Sequence, residues 1–232
     1  MKKNIIIALT FFLTAVSMNA QEFKSIPSIT VVGEGKVKVV PDQVSISVSV
    51  QSKGTKAADV KKENDTKVDG VIKYIKKMGI AAQDYKTTRV TLNDQYDYDK
   101  KKHNYVAVQS IEILIKDLAK YDQIMEGLVD SGINNIGNID FQSSKIEVHK
   151  SEARKLAILN AKVKAQDYVG ALGQKLGAAY TIIDNSQDNF YRPRYETMAM
   201  KAYDGGSSDN ETLAIGEMEV TANVSVSFKL LD

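Results

Sequence analysis

Residues 44–51, VSISVSVQ, alternate strictly between apolar and polar side chains and decide the fold of this chain. Val44, Ile46, Val48 and Val50 fall on one face of an extended strand, and the serines fall on the other face. Residues 217–230, EMEVTANVSVSFKL, repeat the same period over seven apolar positions. Because a shift of the strand pairing by one residue would expose all seven apolar side chains to water, the register of such a strand is firmly specified. Both segments predict half-buried antiparallel strands.

Shorter apolar runs predict further strands at residues 29–32, 36–40, 87–92, 105–115, 136–142 and 180–184. Gly33-Glu34-Gly35 lies between the first two runs and predicts the tight turn of an N-terminal hairpin. A phosphate-binding glycine loop is disfavoured there, because Lys38 stands where a third glycine belongs and the next residues continue as a strand.

Three segments show helical spacing of apolar residues: residues 60–78, 118–130 and 147–172. Gly79 and Gly132 follow the first two as stop signals. Ser144, with Glu147 three residues later, predicts a capping box at the start of the third. That helix carries small residues at every fourth position: Ala153, Ala157, Ala161 and Ala165. Such a row allows close packing, with this chain's own sheet favoured and a partner helix as the alternative.

The order of these elements predicts the fold class. From residue 44 to residue 142 the chain reads strand, helix, strand, strand, helix, strand, which is the split β-α-β pattern of ferredoxin-like folds. The tail adds a C-terminal helix and two strands. We therefore expect one α+β domain, a mainly antiparallel sheet with helices packed on one face, and the hairpin at residues 29–40 pairing with the last strand.

Residues 1–20 have the pattern of an export signal. Lys2 and Lys3 precede an apolar run at residues 5–16, which is too short to span a bilayer comfortably, and cleavage is expected after Ala20. An uncleaved membrane anchor is the alternative. Cleavage removes two lysines and no acidic residue, leaving 29 basic and 29 acidic side chains. Because the net charge of residues 21–232 is zero, nucleic acid is not an expected partner. No transmembrane span is expected in these residues.

Candidate catalytic chemistry is sparse. The chain has no cysteine, which excludes thiolate nucleophiles, cysteine-ligated zinc, iron–sulfur clusters and a lipoprotein anchor. Its two histidines, His103 and His149, are far apart in sequence. Residues 93–99 have the composition of a calcium loop but lack its glycine and distal glutamate, and lysines follow, so a solvated hairpin tip is expected. We expect no enzyme, no catalytic residues, no metal and no cofactor.

Residues 185–211 are the least regular part of the chain and predict a flexible loop. Aromatic, arginine and methionine side chains are typical of contact surfaces, and they are concentrated in this loop. The candidate interface therefore consists of Phe190, Tyr191, Arg192, Arg194, Tyr195, Met198, Met200 and Tyr203. The alternative is a loop that covers the domain's own core.

Taken together, these segments resemble the SIMPL domain (DUF541) family over nearly all of residues 21–232. The resemblance rests on an ordered series of motifs: ITVVGEG at 29–35, Val40-Pro41-Asp42, Met78-Gly79-Ile80, Tyr96 and Tyr98 before Tyr105, Ile139-Asp140-Phe141, Leu172-Gly173, Leu176-Gly177, and GEMEV at 216–220. It implies an exported periplasmic or outer-membrane-associated protein, large homo-oligomers and a link to oxidative-stress tolerance. It implies no established catalytic residues.

Two functional hypotheses follow. The first is a non-enzymatic envelope protein that self-assembles as a periplasmic scaffold linked to stress tolerance, with the loop and the exposed strand edges as interfaces. The second is a periplasmic module that binds a small envelope molecule or a peptide beneath the loop at residues 185–211. An enzyme built on the two distant histidines ranks last.

Overall fold

A computed structural model describes residues 26–99, 101–186 and 215–231. Its elements within these ranges, in chain order, are β1 Ser28–Val39, β2 Gln43–Gly54, α1 Ala57–Lys77, β3 Tyr85–Asp97, β4 Lys102–Ile115, α2 Tyr121–Asp130, β5 Asn135–Gln142, α3 Ile146–Ala171, β6 Lys175–Asp184 and β7 Met218–Leu231. Short 3₁₀ turns at Ala82–Asp84 and Leu118–Lys120 precede β3 and α2. None of the helices in these ranges is long and apolar enough to cross a membrane.

The strands form antiparallel sheets, which confirms the α+β class. They are divided between two sheets, one of four strands in the order β3-β4-β2-β5 and one of three in the order β1-β7-β6. In the larger sheet β4 lies between β2 and β3, the two strands that α1 connects. Each sheet carries its helical cover on one face, so the described residues form two apolar cores.

The four-stranded sheet buries the apolar face of β2 that the alternation predicts. Val44, Ile46, Val48 and Val50 are almost completely buried. Helices α1 and α2 cover this face with Val71, Ile75 and Leu128, among others. Burial of apolar surface of this kind is the main favourable contribution to folding.

The three-stranded sheet has β7 at its centre, and α3 packs mainly on β1 and β7. The four alanines of α3 at residues 153, 157, 161 and 165 are fully buried against this sheet. The alanine row therefore packs against the chain's own sheet, as the favoured interpretation predicted.

The predicted N-terminal hairpin at residues 29–40 is wrong, because β1 is one continuous strand. It pairs with β7 along its whole length, and Gly33 and Gly35 lie opposite Val224 and Ala222. A Cβ atom on either glycine would overlap the backbone of α3, at the carbonyl oxygens of Ala157 and Ala153 respectively. The glycines therefore permit close approach of the helix to the strand, and they form no turn.

The sequence signals predict the C-terminal ends of the helices better than the N-terminal ends. Gly79 and Gly132 have positive φ angles of 77° and 118°, in agreement with their predicted role as stops. The predicted capping box of α3 is wrong: its N-cap is Lys145, which makes no side-chain capping bond. Ser144 donates instead to the carboxylate of Asp42, from its backbone N–H at 2.7 Å and from its hydroxyl at 2.5 Å.

Candidate functional site

The eight residues of the predicted interface lie outside the described residues, as does the signal segment at residues 1–20. Of the loop at residues 185–211, the described part is Asn185 and Ser186. Asn185 donates its backbone N–H to the carbonyl of Asn223 at 2.9 Å, which extends the pairing of β6 with β7. The candidate interface therefore stays a prediction.

The two histidines are located in different elements, one in a strand and the other in a helix. His103 is in β4, and its Nδ1 atom lies 2.7 Å from Oδ2 of Asp94 on β3. The ring of Tyr96 lies 5.0 Å from the rings of both His103 and Tyr98. His149 is in the first turn of α3, where its Nδ1 atom is buried and has no hydrogen-bond partner within the described part of the chain. In the described ranges no group of three or more side chains is arranged to hold a metal ion.

A small open cleft of about 180 Å³ lies at one end of the four-stranded sheet. Side chains from four strands line it, including Ser45 of β2, Lys86 of β3, Glu112 of β4 and Gln142 of β5. Glu112 accepts a hydrogen bond from Ser45 at 3.2 Å and pairs with Lys86 at 3.0 Å. Because opposite charges are paired here, the cleft suits a small polar molecule better than an ion.

The hairpin of β3 and β4 projects beyond the rest of its sheet, since the last residue of β2, Gly54, pairs with Tyr105. Val90 and Leu92 lie on the same side of β3 as Tyr96, on the face that α1 and α2 cover elsewhere. Their exposed fractions are 65% and 42%, and that of Tyr98 is 83%. Within the described residues, the edge strand β3 and the tip of the hairpin therefore present an uncovered apolar and aromatic stripe.

Helix α3 presents a second uncovered apolar surface, which we call the outer row. It consists of Val148, Leu156, Leu159 and Val163, which are between 40% and 63% exposed. By helical spacing Leu159 and Val163 lie opposite the buried alanine row, whereas Leu156 lies on the side toward β1, close to Gly35. Among the residues that the structure describes, the helix is therefore apolar on two faces and buries one of them.

The outer row was missed in the sequence, although a signal for it was present. Leu156, Leu159 and Val163 are spaced by three and four residues, the period of one helix face. The alanine row in the same segment satisfies the same period, so the second face was not separated from the first.

Comparison with known proteins places these features in a family. The model of the SIMPL family, described as "Protein of unknown function (DUF541)", matches residues 29–228. "Uncharacterized protein YggE" of Escherichia coli strain K12 is 27% identical over 231 residues, covering 98% of this chain and 93% of that protein. The "26 kDa periplasmic immunogenic protein" of Brucella melitensis biotype 1 is 26% identical over 232 residues, covering 95% of this chain and 91% of that protein. With a family match that spans both sheets and all three helices, this chain belongs to the SIMPL (DUF541) family.

Proposed function

We propose that this protein is an exported, non-enzymatic periplasmic protein that self-assembles into a scaffold of the cell envelope. The observation that carries the proposal is the outer row of α3, which is apolar, exposed and held on a long helix. Exposed apolar patches on a soluble domain commonly mark interaction surfaces. A periplasmic location is supported by the signal-like residues 1–20 and by the printed name of the Brucella relative.

The geometry of α3 supports a structural role for this surface. The alanine row holds the helix axis close to β1 and β7, so the outer row is presented on a rigid element. The projecting hairpin of β3 and β4 adds a second apolar surface on the other sheet. Two different surfaces on one chain allow head-to-tail contacts, which close into rings or continue as filaments.

The first experiment is to measure the mass of residues 21–232 by light scattering after size exclusion, over roughly a hundredfold range of concentration. We expect a multimer that persists on dilution, and a monomer throughout would contradict the proposal. Leu159→Lys combined with Val163→Lys should lower the mass while the circular dichroism spectrum stays that of the folded protein. Lys162→Glu, at an exposed position on the same helix, is the matched control and should leave the mass unchanged.

A second variant tests the candidate interface at residues 190–203. Replacement of this segment by a Gly/Ser linker should dissociate the multimer into folded subunits if these residues form the contact. An unchanged multimer would remove this segment from the interface and leave the outer row as the contact surface.

A link to oxidative-stress tolerance belongs to the same proposal and rests on the family resemblance. We expect cells that carry the Leu159→Lys, Val163→Lys variant to lose the same peroxide tolerance as cells that lack the protein. Tolerance equal to that of wild-type cells would separate assembly from stress protection.

The second candidate function is that of a binding module for a small envelope molecule, and the cleft beside Ser45 and Glu112 favours it. At about 180 Å³ the cleft is smaller than the usual ligand sites of about 300–1,000 Å³, so its volume restricts the candidates to small molecules. Thermal shift with a panel of amino acids and sugars tests this function. A shift that Glu112→Gln abolishes would support it, and the absence of any shift would contradict it.

A further inference from the structure

Strand β1 is a long edge strand of the three-stranded sheet. It pairs with β7 over twelve consecutive residues without a bulge, and its other edge has no neighbouring strand among the described residues. Long regular edges of this kind act as templates for the addition of another strand. A strand added beside β1 would also be sheltered by α3, because Leu156 lies close to Gly35.

Two side chains of α3 form hydrogen bonds with main-chain groups of β1. The Oδ1 atom of Asn160 accepts a hydrogen bond from the backbone N–H of Glu34 at 3.1 Å. The Nζ atom of Lys164 donates a hydrogen bond to the carbonyl oxygen of Val32 at 3.0 Å. Val32 and Glu34 are two residues apart, so their main-chain groups point to the same side of the strand.

The spacing of these contacts fits a helix that lies along a strand. Four residues of helix advance about 6 Å, and two residues of strand advance about 6.6 Å. Asn160 and Lys164 therefore stand in register with Glu34 and Val32. One supplies an acceptor and the other a donor, which is what a neighbouring strand would supply.

We propose that Asn160 and Lys164 block the free edge of β1 and so prevent a second copy of β1 from pairing there. The block directs association away from β1 and toward other surfaces of the protein. The inference goes beyond the proposed scaffold, because it holds whether or not the outer row assembles.

The test removes both side chains in the full mature chain, with Asn160→Ala and Lys164→Ala. If wild-type protein is a multimer, the Leu159→Lys, Val163→Lys variant serves as the parent, so that outer-row contacts do not obscure the result. Loss of one hydrogen bond should speed amide exchange of Glu34 about tenfold at low protein concentration. At high concentration we expect a mass of twice the subunit, with renewed protection confined to the amides of β1.

Lys162→Ala with Gln166→Ala is the matched control, since these residues have the same four-residue spacing on α3 and are exposed. It should change neither the Glu34 amide nor the mass. Unchanged Glu34 exchange in the test variant would overturn the proposal, and so would faster exchange without new association. If the double variant does not fold, Asn160→Ala alone removes the acceptor of the Glu34 N–H, keeps Lys164 and is subject to the same two measurements.

Discussion

At the scale of single residues, Gly35 shows how the backbone of one element sets the composition of another. It is buried in the middle of β1, where α3 leaves no room for a side chain. The nearest atoms to an added Cβ would be backbone atoms of Ala153 and Ala157, which cannot rotate away. Any larger residue at this position must therefore displace the helix.

Gly35→Ala should accordingly lower the free energy of unfolding by about 1–3 kcal/mol, the usual cost of overpacking, or by more if α3 cannot shift. Gly170→Ala is the control, because Gly170 is in α3 and open space surrounds its Cβ position. That change should raise the free energy of unfolding by about 0.5–1 kcal/mol. Urea unfolding of both variants checks the pair, and equal stabilities would disprove the steric role of Gly35.

At the scale of elements, the docking of α1 depends on a buried polar residue. Asn64 is 3% exposed, and its Nδ2 atom donates to the carbonyl oxygens of Val50 on β2 and Ala107 on β4, at 3.0 and 3.4 Å. A buried amide in such a position stabilises the structure only while its donors have acceptors. The contact fixes where α1 lies across the two strands.

We expect Asn64→Asp to be more destabilising than Asn64→Ala at pH 7, because an ionised carboxylate would face two carbonyl oxygens without a donor. Burial raises the pKa of such a carboxyl, and its protonated form can donate a hydrogen bond. The difference between the two variants should therefore shrink as the pH falls from 7 to about 4.5. Chemical denaturation at both pH values measures it, and a pH-independent difference would rule out this explanation.

At the scale of the whole molecule, one contact ties together the two connections between the sheets. Asp42 lies between β1 and β2, and Ser144 lies between β5 and α3, 102 positions away in sequence. Two hydrogen bonds from Ser144 lower the pKa of Asp42 below its ordinary value. The bond from the hydroxyl has the larger effect, and the bond from the backbone N–H has the smaller one. The contact therefore stabilises the ionised form of the carboxyl.

A carboxyl whose pKa is lowered by folding adds stability above its unfolded pKa and loses that contribution as the pH falls through the folded value. Wild-type protein should therefore lose more stability than Asp42→Asn between roughly pH 5 and pH 3. Ser144→Ala should remove most of this difference, since the hydroxyl makes the largest contribution to the shift. Unfolding free energies across this range test it, and parallel pH profiles for wild type and Asp42→Asn would contradict it.

The candidate surfaces could be read from the sequence only in part. The exposed end of the β3–β4 hairpin at residues 93–99 agrees with the prediction from composition, but residues 93–97 are paired strand and the turn itself begins after Asp97. The outer row was not anticipated, because whether an apolar helical face is covered depends on what the rest of the chain brings to it. The candidate interface at residues 190–203 stays a prediction from composition alone.

By itself the sequence determined what is local: the strand character of residues 44–51 and 217–230, the three helices, and the apolar face of each element. These follow from the period of apolar residues along the chain, which each segment contains within itself. The tertiary structure decided what depends on partners far away in sequence. β1 is one strand because α3 approaches its glycines, and Ser144 bonds to Asp42 because the fold brings two distant connections together. Such contacts are absent from any single segment, since their donors, acceptors and steric limits come from different parts of the chain.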